Sequence, residues 1–202
     1  MGYYRFSRFI LLLLCKLLFR IRYSGREFIP KKGGFILAAN HVSYLDPVVL
    51  GVACPRSLNF MAKDSLFSVP FLASWLKAVG VIPVKRDAAD LSALKTAIKN
   101  ANAGMGLALF PEGTRRTKDN QFINPEPGVG FLAAKLSLPV VPAYISGTYE
   151  AFPRGTRSVK LRRVSVRFGK QIHIERGKPY QEISELIMAN IKQYLRGRFF
   201  VT

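Results

Sequence analysis

One histidine and one aspartate, five residues apart, have the types and spacing to move a proton. His41 and Asp46 lie in the run Asn40-His-Val-Ser-Tyr-Leu-Asp-Pro47. A neutral imidazole can accept a proton from a hydroxyl as that hydroxyl attacks an electrophile. A carboxylate beside it fixes the tautomer and stabilises the imidazolium that forms. Each residue alone also has a plainer reading, His41 as a hydrogen-bonded loop residue and Asp46 as a helix N-cap ahead of Pro47 at the first helical position. Arg86, in Lys85-Arg86-Asp87, and Arg115, in Glu112-Gly113-Thr114-Arg115, can hold a phosphate through forked donors. Glu112 repels a phosphate, so it would orient an arginine or accept from a substrate hydroxyl. Ser43 is a candidate covalent nucleophile, but the Gly-x-Ser-x-Gly elbow that would present it is missing. No Gly-rich phosphate loop or dinucleotide fingerprint occurs. His173 sits mid-strand and no His/Cys cluster has ligand spacing, so no metal is expected.

The elements that must carry these groups alternate. A buried strand over Gly34–Ala39 delivers His41 at its end, and a helix from about Pro47 to Ala53 follows. Leu58–Ala62 reads as a second strand. Lys63–Gly80 reads as one or two short helices broken near Pro70, whose Phe67, Phe71 and Trp75 recur at helical spacing as core or as the lining of an apolar cavity. Val81–Val84 is a third strand, ending at Arg86. Asp90 caps a helix from Leu91 to about Ala101, with Leu91, Leu94 and Ile98 inward. Leu107–Phe110 is a fourth strand, ending at Glu112. A helix from about Val129 to Leu136 and a fifth strand over Pro139–Ile145 follow, then a loop from Gly147 to Gly155. Arg163–Phe168 and Ile172–Ile174 alternate as half-buried strands should, and a helix runs from about Glu182 to Arg196, closed by Gly197. The pattern predicts a single α/β domain, a mixed and largely parallel sheet flanked by helices. Ligands gather outside the carboxyl ends of such strands, where His41, Arg86 and Glu112–Arg115 converge.

Thirty-one Lys and Arg against twelve Asp and Glu give a net charge of +19 across 202 residues. A field of that sign attracts nucleic acid, an anionic bilayer, or an acidic carrier. Cys15 and Cys54 lie in apolar surroundings without a redox motif and suit a reducing compartment. Residues 1–22 read as an amphipathic membrane-interface helix ahead of the domain at 23–202. Lys16 interrupts the apolar centre and no cleavage site follows, against a signal peptide. The run is about half the roughly 20 residues that a crossing needs. Arg8, Leu12, Lys16 and Arg20 share a face by i+4 steps, and with Phe9 and Phe19 they form the expected membrane contact.

Four stretches together carry a family resemblance. Asn40-His41-x-Ser43-x-x-Asp46, Gly80-Val-Ile-Pro-Val-Lys-Arg86, Phe110-Pro-Glu-Gly-Thr-Arg115 and Val140-Val141-Pro142 resemble, in order and spacing, the four motifs of the glycerolipid acyltransferases. The likeness is to the bacterial 1-acyl-glycerol-3-phosphate acyltransferases within that family. The resemblance implies a His41/Asp46 dyad activating the sn-2 hydroxyl of lysophosphatidic acid against an acyl thioester, with phosphatidic acid as product. It implies acceptor binding by Arg86, Glu112, Gly113, Thr114 and Arg115, and a role for Val141 and Pro142 in donor binding or site shape. Acyl-CoA or acyl-carrier protein is then a co-substrate and no cofactor is implied. The implied location is the cytoplasmic face of the cell membrane, peripheral or monotopic. Lys85, where the family often has Asp, and Arg116, where a small residue is common, add positive charge beside the expected phosphate site. Three alternatives stay open: another lysolipid or glycerol-3-phosphate acceptor, a non-catalytic membrane-binding protein, and a nucleic-acid-binding protein. The spread of basic residues along the whole chain and the lack of a nucleic-acid motif argue against the last.

Overall fold

The computed structural model describes residues 2–85, 90–116, 121–153, 155–156, 158–175 and 177–195. In chain order the first elements are α1 (Gly2–Phe19), β1 (Arg22–Ser24), β2 (Phe35–Ala39), α2 (Asp46–Ala53) and β3 (Leu58–Lys63). Next come α3 (Pro70–Ala78), β4 (Ile82–Val84), α4 (Leu91–Asn102), β5 (Gly106–Leu109) and α5 (Pro127–Leu136). The chain closes with β6 (Val140–Ser146), α6 (Thr148–Ala151), β7 (Ser165–Phe168) and α7 (Tyr180–Lys192). The strands form one sheet in the order β1-β7-β6-β2-β5-β3-β4. From β6 to β4 all neighbours are parallel, while β7 is antiparallel to β6 and parallel to β1. Five strands therefore present their carboxyl ends on one side.

β2 lies at the centre and is buried along its whole length. Phe35, Leu37 and Ala39 enter the layer packed by α1 and α2, and Ile36 and Ala38 enter the one packed by α4, α5 and α7. A strand covered on both faces needs apolar side chains at every position, which is why it reads as an unbroken run. The same logic makes the other parallel strands legible to within a residue or so. β7 is shorter than expected, Ile172 makes only an isolated bridge to Val140, and His173 lies exposed outside any strand. β1 and α6 form where the sequence reads as loop. α4 turns slightly from its expected face, burying Ala93, Ala97 and Ala101 and leaving Leu91 exposed, because small residues let a helix approach the sheet closely. Asp90 caps it as expected, accepting from the Ser92 and Ala93 N–H groups. Phe71 lies on the surface, neither core nor cavity lining. Gly197 lies outside the described residues.

α1 requires a correction of face. Cys15 and Phe19 are buried against the α2 side of the sheet, with Leu11 and Leu12 packed beside them. Arg8 donates to the Gly51 and Val52 carbonyls at the end of α2. Arg8, Leu12 and Phe19 thus meet the domain, while Phe9, Lys16 and Arg20 stay outward. The outer stripe comprises Phe6, Phe9, Ile10, Leu13, Leu14, Leu17 and Leu18. The helix stops at Arg20, whose φ of +45° leaves the helical region. Both cysteines are buried, and burial pushes the Cys54 thiol up to about 11.

Candidate active site

Three layers of contact fix the loop that leaves β2. The first is Asn40, fully buried, whose amide donates to the Ile145 carbonyl at 2.9 Å and accepts from the Ile145 N–H at 2.7 Å. Its side chain continues the β2–β6 ladder one rung beyond the point where the main chain turns away. A buried amide at that place must be paired on both atoms, and here it is.

The second layer holds the His41 main chain between two groups following β5. The His41 N–H donates to Glu112 Oε1 at 2.9 Å, and the His41 carbonyl accepts from the Arg116 N–H at 2.9 Å. Glu112 Oε2 lies 2.9 Å from Arg116 Nε, both side chains buried, in a close charge contact rather than an aligned hydrogen bond. Burial pushes the Glu112 carboxyl up, and the His41 N–H and the Arg116 charge pull it down. The Arg116 guanidinium also covers the Phe122 ring at 4.1 Å. Glu112 takes the first of the two roles open to it, orienting an arginine. One expectation changes: that arginine is Arg116, an internal counter-ion rather than added charge at an open phosphate site.

The third layer sets the imidazole. His41 stacks on Phe110 with ring centroids 4.1 Å apart and planes 18° from parallel. Its Nδ1 is 2.8 Å from Asp46 Oδ2, which also accepts from the Val42 and Ser43 N–H groups at 2.6 and 2.8 Å. An oxygen that already accepts twice has no proton to give, so Nδ1 carries the hydrogen and Nε2 is the basic nitrogen of the neutral ring. The His41 side chain is 17% exposed and Asp46 is completely buried. This overturns the cap reading of Asp46: no side chain caps α2. The residue after Asp46 is a proline without an N–H, and the carboxylate reaches back to the N–H groups of its own loop.

Ser43 is equally committed. Its hydroxyl donates to the Phe152 carbonyl at 2.6 Å and accepts from the Leu45 N–H at 3.1 Å. Gly113 adopts φ +63°, where a side chain is disfavoured, and a Cβ there would press on Glu126. Gly113 and Thr114 are exposed. The Arg115 guanidinium lies 3.4 Å over the Tyr44 ring, which brings it against the His41–Asp46 loop. Arg86 lies outside the described residues, and the preceding Lys85 is exposed, its N–H donating to Asp90. Val141 and Pro142 sit inside β6 opposite Leu37 and Ala38, and both are buried. Asn40, Tyr44, Phe110 and Arg116 complete the site and were not assigned these roles from sequence. A polar Asn40 directly after a buried strand was the one signal that could have found any of them.

A family model described as Acyltransferase matches residues 20–146. A 1-acyl-sn-glycerol-3-phosphate acyltransferase of Bacillus subtilis is 29% identical over 171 residues, covering 84% of this chain and 82% of that one. The protein of the same name from Saccharomyces cerevisiae is 32% identical over 157 residues, covering 70% of this chain and 50% of its own. A chloroplastic relative in Arabidopsis thaliana is 29% identical over 144 residues, so the match spans 70% of this chain and 40% of that longer protein. The crystal structure of the 1-acyl-sn-glycerophosphate (LPA) acyltransferase of Thermotoga maritima shares the fold. Its TM-score is 0.79 at 22% identity, over 96% of this chain and 82% of its own.

Proposed function

The chain belongs to the acyltransferase family, and from that premise we propose that it acylates the sn-2 hydroxyl of 1-acyl-glycerol-3-phosphate, giving phosphatidic acid. The names borne by the relatives that match most of this chain support that acceptor. The observation that carries the chemistry is the 2.8 Å pairing of His41 Nδ1 with a buried Asp46 at the carboxyl end of the central strand. Nε2 accepts the hydroxyl proton as the oxygen attacks the thioester carbonyl. The tetrahedral intermediate collapses, the carbon–sulfur bond breaks, and the leaving thiolate takes the proton back from the imidazolium. Asp46 stabilises the imidazolium between those steps. The commitment of the Ser43 hydroxyl to Phe152 favours this direct transfer over an acyl-serine intermediate. Arg115, with Arg86, supplies positive charge for the acceptor phosphate, beside Gly113 and Thr114.

The donor is an acyl thioester of CoA or of acyl-carrier protein. Purified protein offered a panel of lysolipids with each donor should form phosphatidic acid fastest from lysophosphatidic acid. Turnover of a different acceptor, with none of lysophosphatidic acid under either donor, would replace this reading. We further propose that the outer stripe of α1 lies on an anionic bilayer at the cytoplasmic face, with Lys16 and Arg20 reaching its head groups. No helix among the described residues is long and apolar enough to cross a membrane. Binding to phosphatidylglycerol vesicles, against duplex DNA at equal salt, tests that part; tight DNA binding without vesicle binding would sink it.

A further inference from the structure

The segment between α6 and β7 places exposed apolar and basic side chains together, as the outer stripe of α1 does. Ser158–Arg163 is a run of exposed residues that includes two large apolar side chains, Val159 at 50% and Leu161 at 70% exposure. Lys160, Arg162 and Arg163 alternate with and follow them. From Ala151 to Ile174 the sequence carries seven Lys and Arg and no Asp or Glu. By contrast, the exposed Leu66, Val69 and Phe71 follow Lys63 and Asp64, charges of both signs.

The segment is anchored at both ends. The Lys160 N–H donates to the Ala151 carbonyl at 2.7 Å. The Val164 N–H donates to the Phe19 carbonyl at 3.0 Å, and the Val164 carbonyl accepts from the Arg22 N–H at 3.0 Å. It is therefore tied to the last turn of α1, where Leu17, Leu18 and Arg20 are exposed. Ser165, just beyond it, pairs with Ser146 at the carboxyl end of β6. The segment thus joins the outer stripe of α1 to the end of the sheet that holds His41.

We propose that Ser158–Arg163 is a second membrane-contact element. Val159 and Leu161 enter the acyl boundary of an anionic bilayer, and Lys160, Arg162 and Arg163 engage its phosphates. The combination of exposed apolar side chains with a run of positive charge matches a lipid surface better than nucleic acid, which rewards the charge alone. The inference rests on the reading that the acceptor is a membrane lipid. It adds that the bilayer meets the catalytic end of the sheet as well as α1.

The test is sedimentation of the full chain with phosphatidylcholine vesicles containing phosphatidylglycerol. The double variant Val159→Ser/Leu161→Ser should lower partitioning about tenfold, from the apolar area withdrawn. Lys160→Gln/Arg162→Gln should lower it about thirtyfold at low salt and little in high salt. Melting temperature and turnover of a detergent-dispersed lysolipid should stay as in the parent for both. Unchanged partitioning of Val159→Ser/Leu161→Ser, with loss on Leu13→Ser/Leu17→Ser in α1, overturns the inference and leaves α1 as the contact. Failure of the parent chain to bind vesicles overturns both membrane readings while leaving the acyltransferase reading to its own assay. A Lys160→Gln/Arg162→Gln loss on duplex DNA equal to that on vesicles, with the apolar pair silent, overturns it in favour of a general polyanion surface.

Discussion

The two ends of α2 are held in opposite ways. At its start, Asp46 gathers His41, Val42 and Ser43 onto a single carboxylate oxygen inside the protein. At its end, Arg8 and Arg26 share the Gly51, Val52 and Ala53 carbonyls, both reaching Val52. Among the described residues neither arginine is paired with a carboxylate. Guanidinium groups suit a helix C-terminus, where the last carbonyls lack helical partners and the dipole is negative. The His41 end depends on one atom without a substitute; the far end spreads its bonds over two side chains. Among the described residues the buried carboxylates are Asp46 and Glu112, and both hold the His41 loop.

That contrast can be broken most sharply at its stronger pole. His41→Ala should lower kcat by about 10²–10⁴-fold with little change in melting temperature. Asp46→Ala should match that loss and also unfold about 3 kcal/mol more easily, because two buried N–H groups lose their acceptor. Kinetics and urea titration on the two variants separate the roles, and equal stability for both would refute the reach-back geometry of Asp46.

Glu112→Gln should come next. It leaves Arg116 buried without its counter-charge, and breaking such a pair costs about 3–5 kcal/mol. The acceptor's apparent Michaelis constant should hold while kcat falls, since His41 loses its anchor. A raised Michaelis constant with normal stability would return Glu112 to acceptor binding.

At the other end of α2, Arg8→Ala or Arg26→Ala alone should cost about 1 kcal/mol. The double variant should cost more than the sum, because each arginine covers for the other at Val52. Strict additivity would mean that the sharing has no energetic content.

The smallest effect is at Asp90, whose carboxyl is held at about 2 chiefly by the Ala93 and Lys85 N–H groups. Its folded value lies below its unfolded one, so its contribution is present above about pH 4 and fades as pH falls toward about 2. The difference in urea midpoint between the parent and Asp90→Ala should therefore narrow between about pH 5 and pH 3. A constant difference would remove the charge from the account of this cap.

What the sequence revealed divides along the same physical line. Strands covered on both faces, such as β2 and β6, announce themselves because burial alone dictates their residues. β1 does not: Arg22–Ser24 is short and partly exposed, and its only reason to be extended is pairing with β7, which lies far away in sequence. His41 and Asp46 were legible as types at a spacing, and the fold brings them together. The direction in which a carboxylate turns was not legible. Asp-Pro before an apolar run looks the same whether the acid caps the next helix or reaches back to its own loop. Glu112 was ambiguous for a related reason, because only the fold reveals that Arg116 rather than Arg115 is its neighbour.

The stacking of His41 on Phe110 makes the dyad directly observable. A proton held over the face of an aromatic ring is shielded by the ring current, so the His41 ring protons should resonate upfield of their usual position. The chain contains only two histidines, and the other, His173, is exposed. A simple proton spectrum should therefore resolve one ordinary imidazole and one displaced imidazole. The displaced pair of signals reports on the His41 ring without any label or substitution.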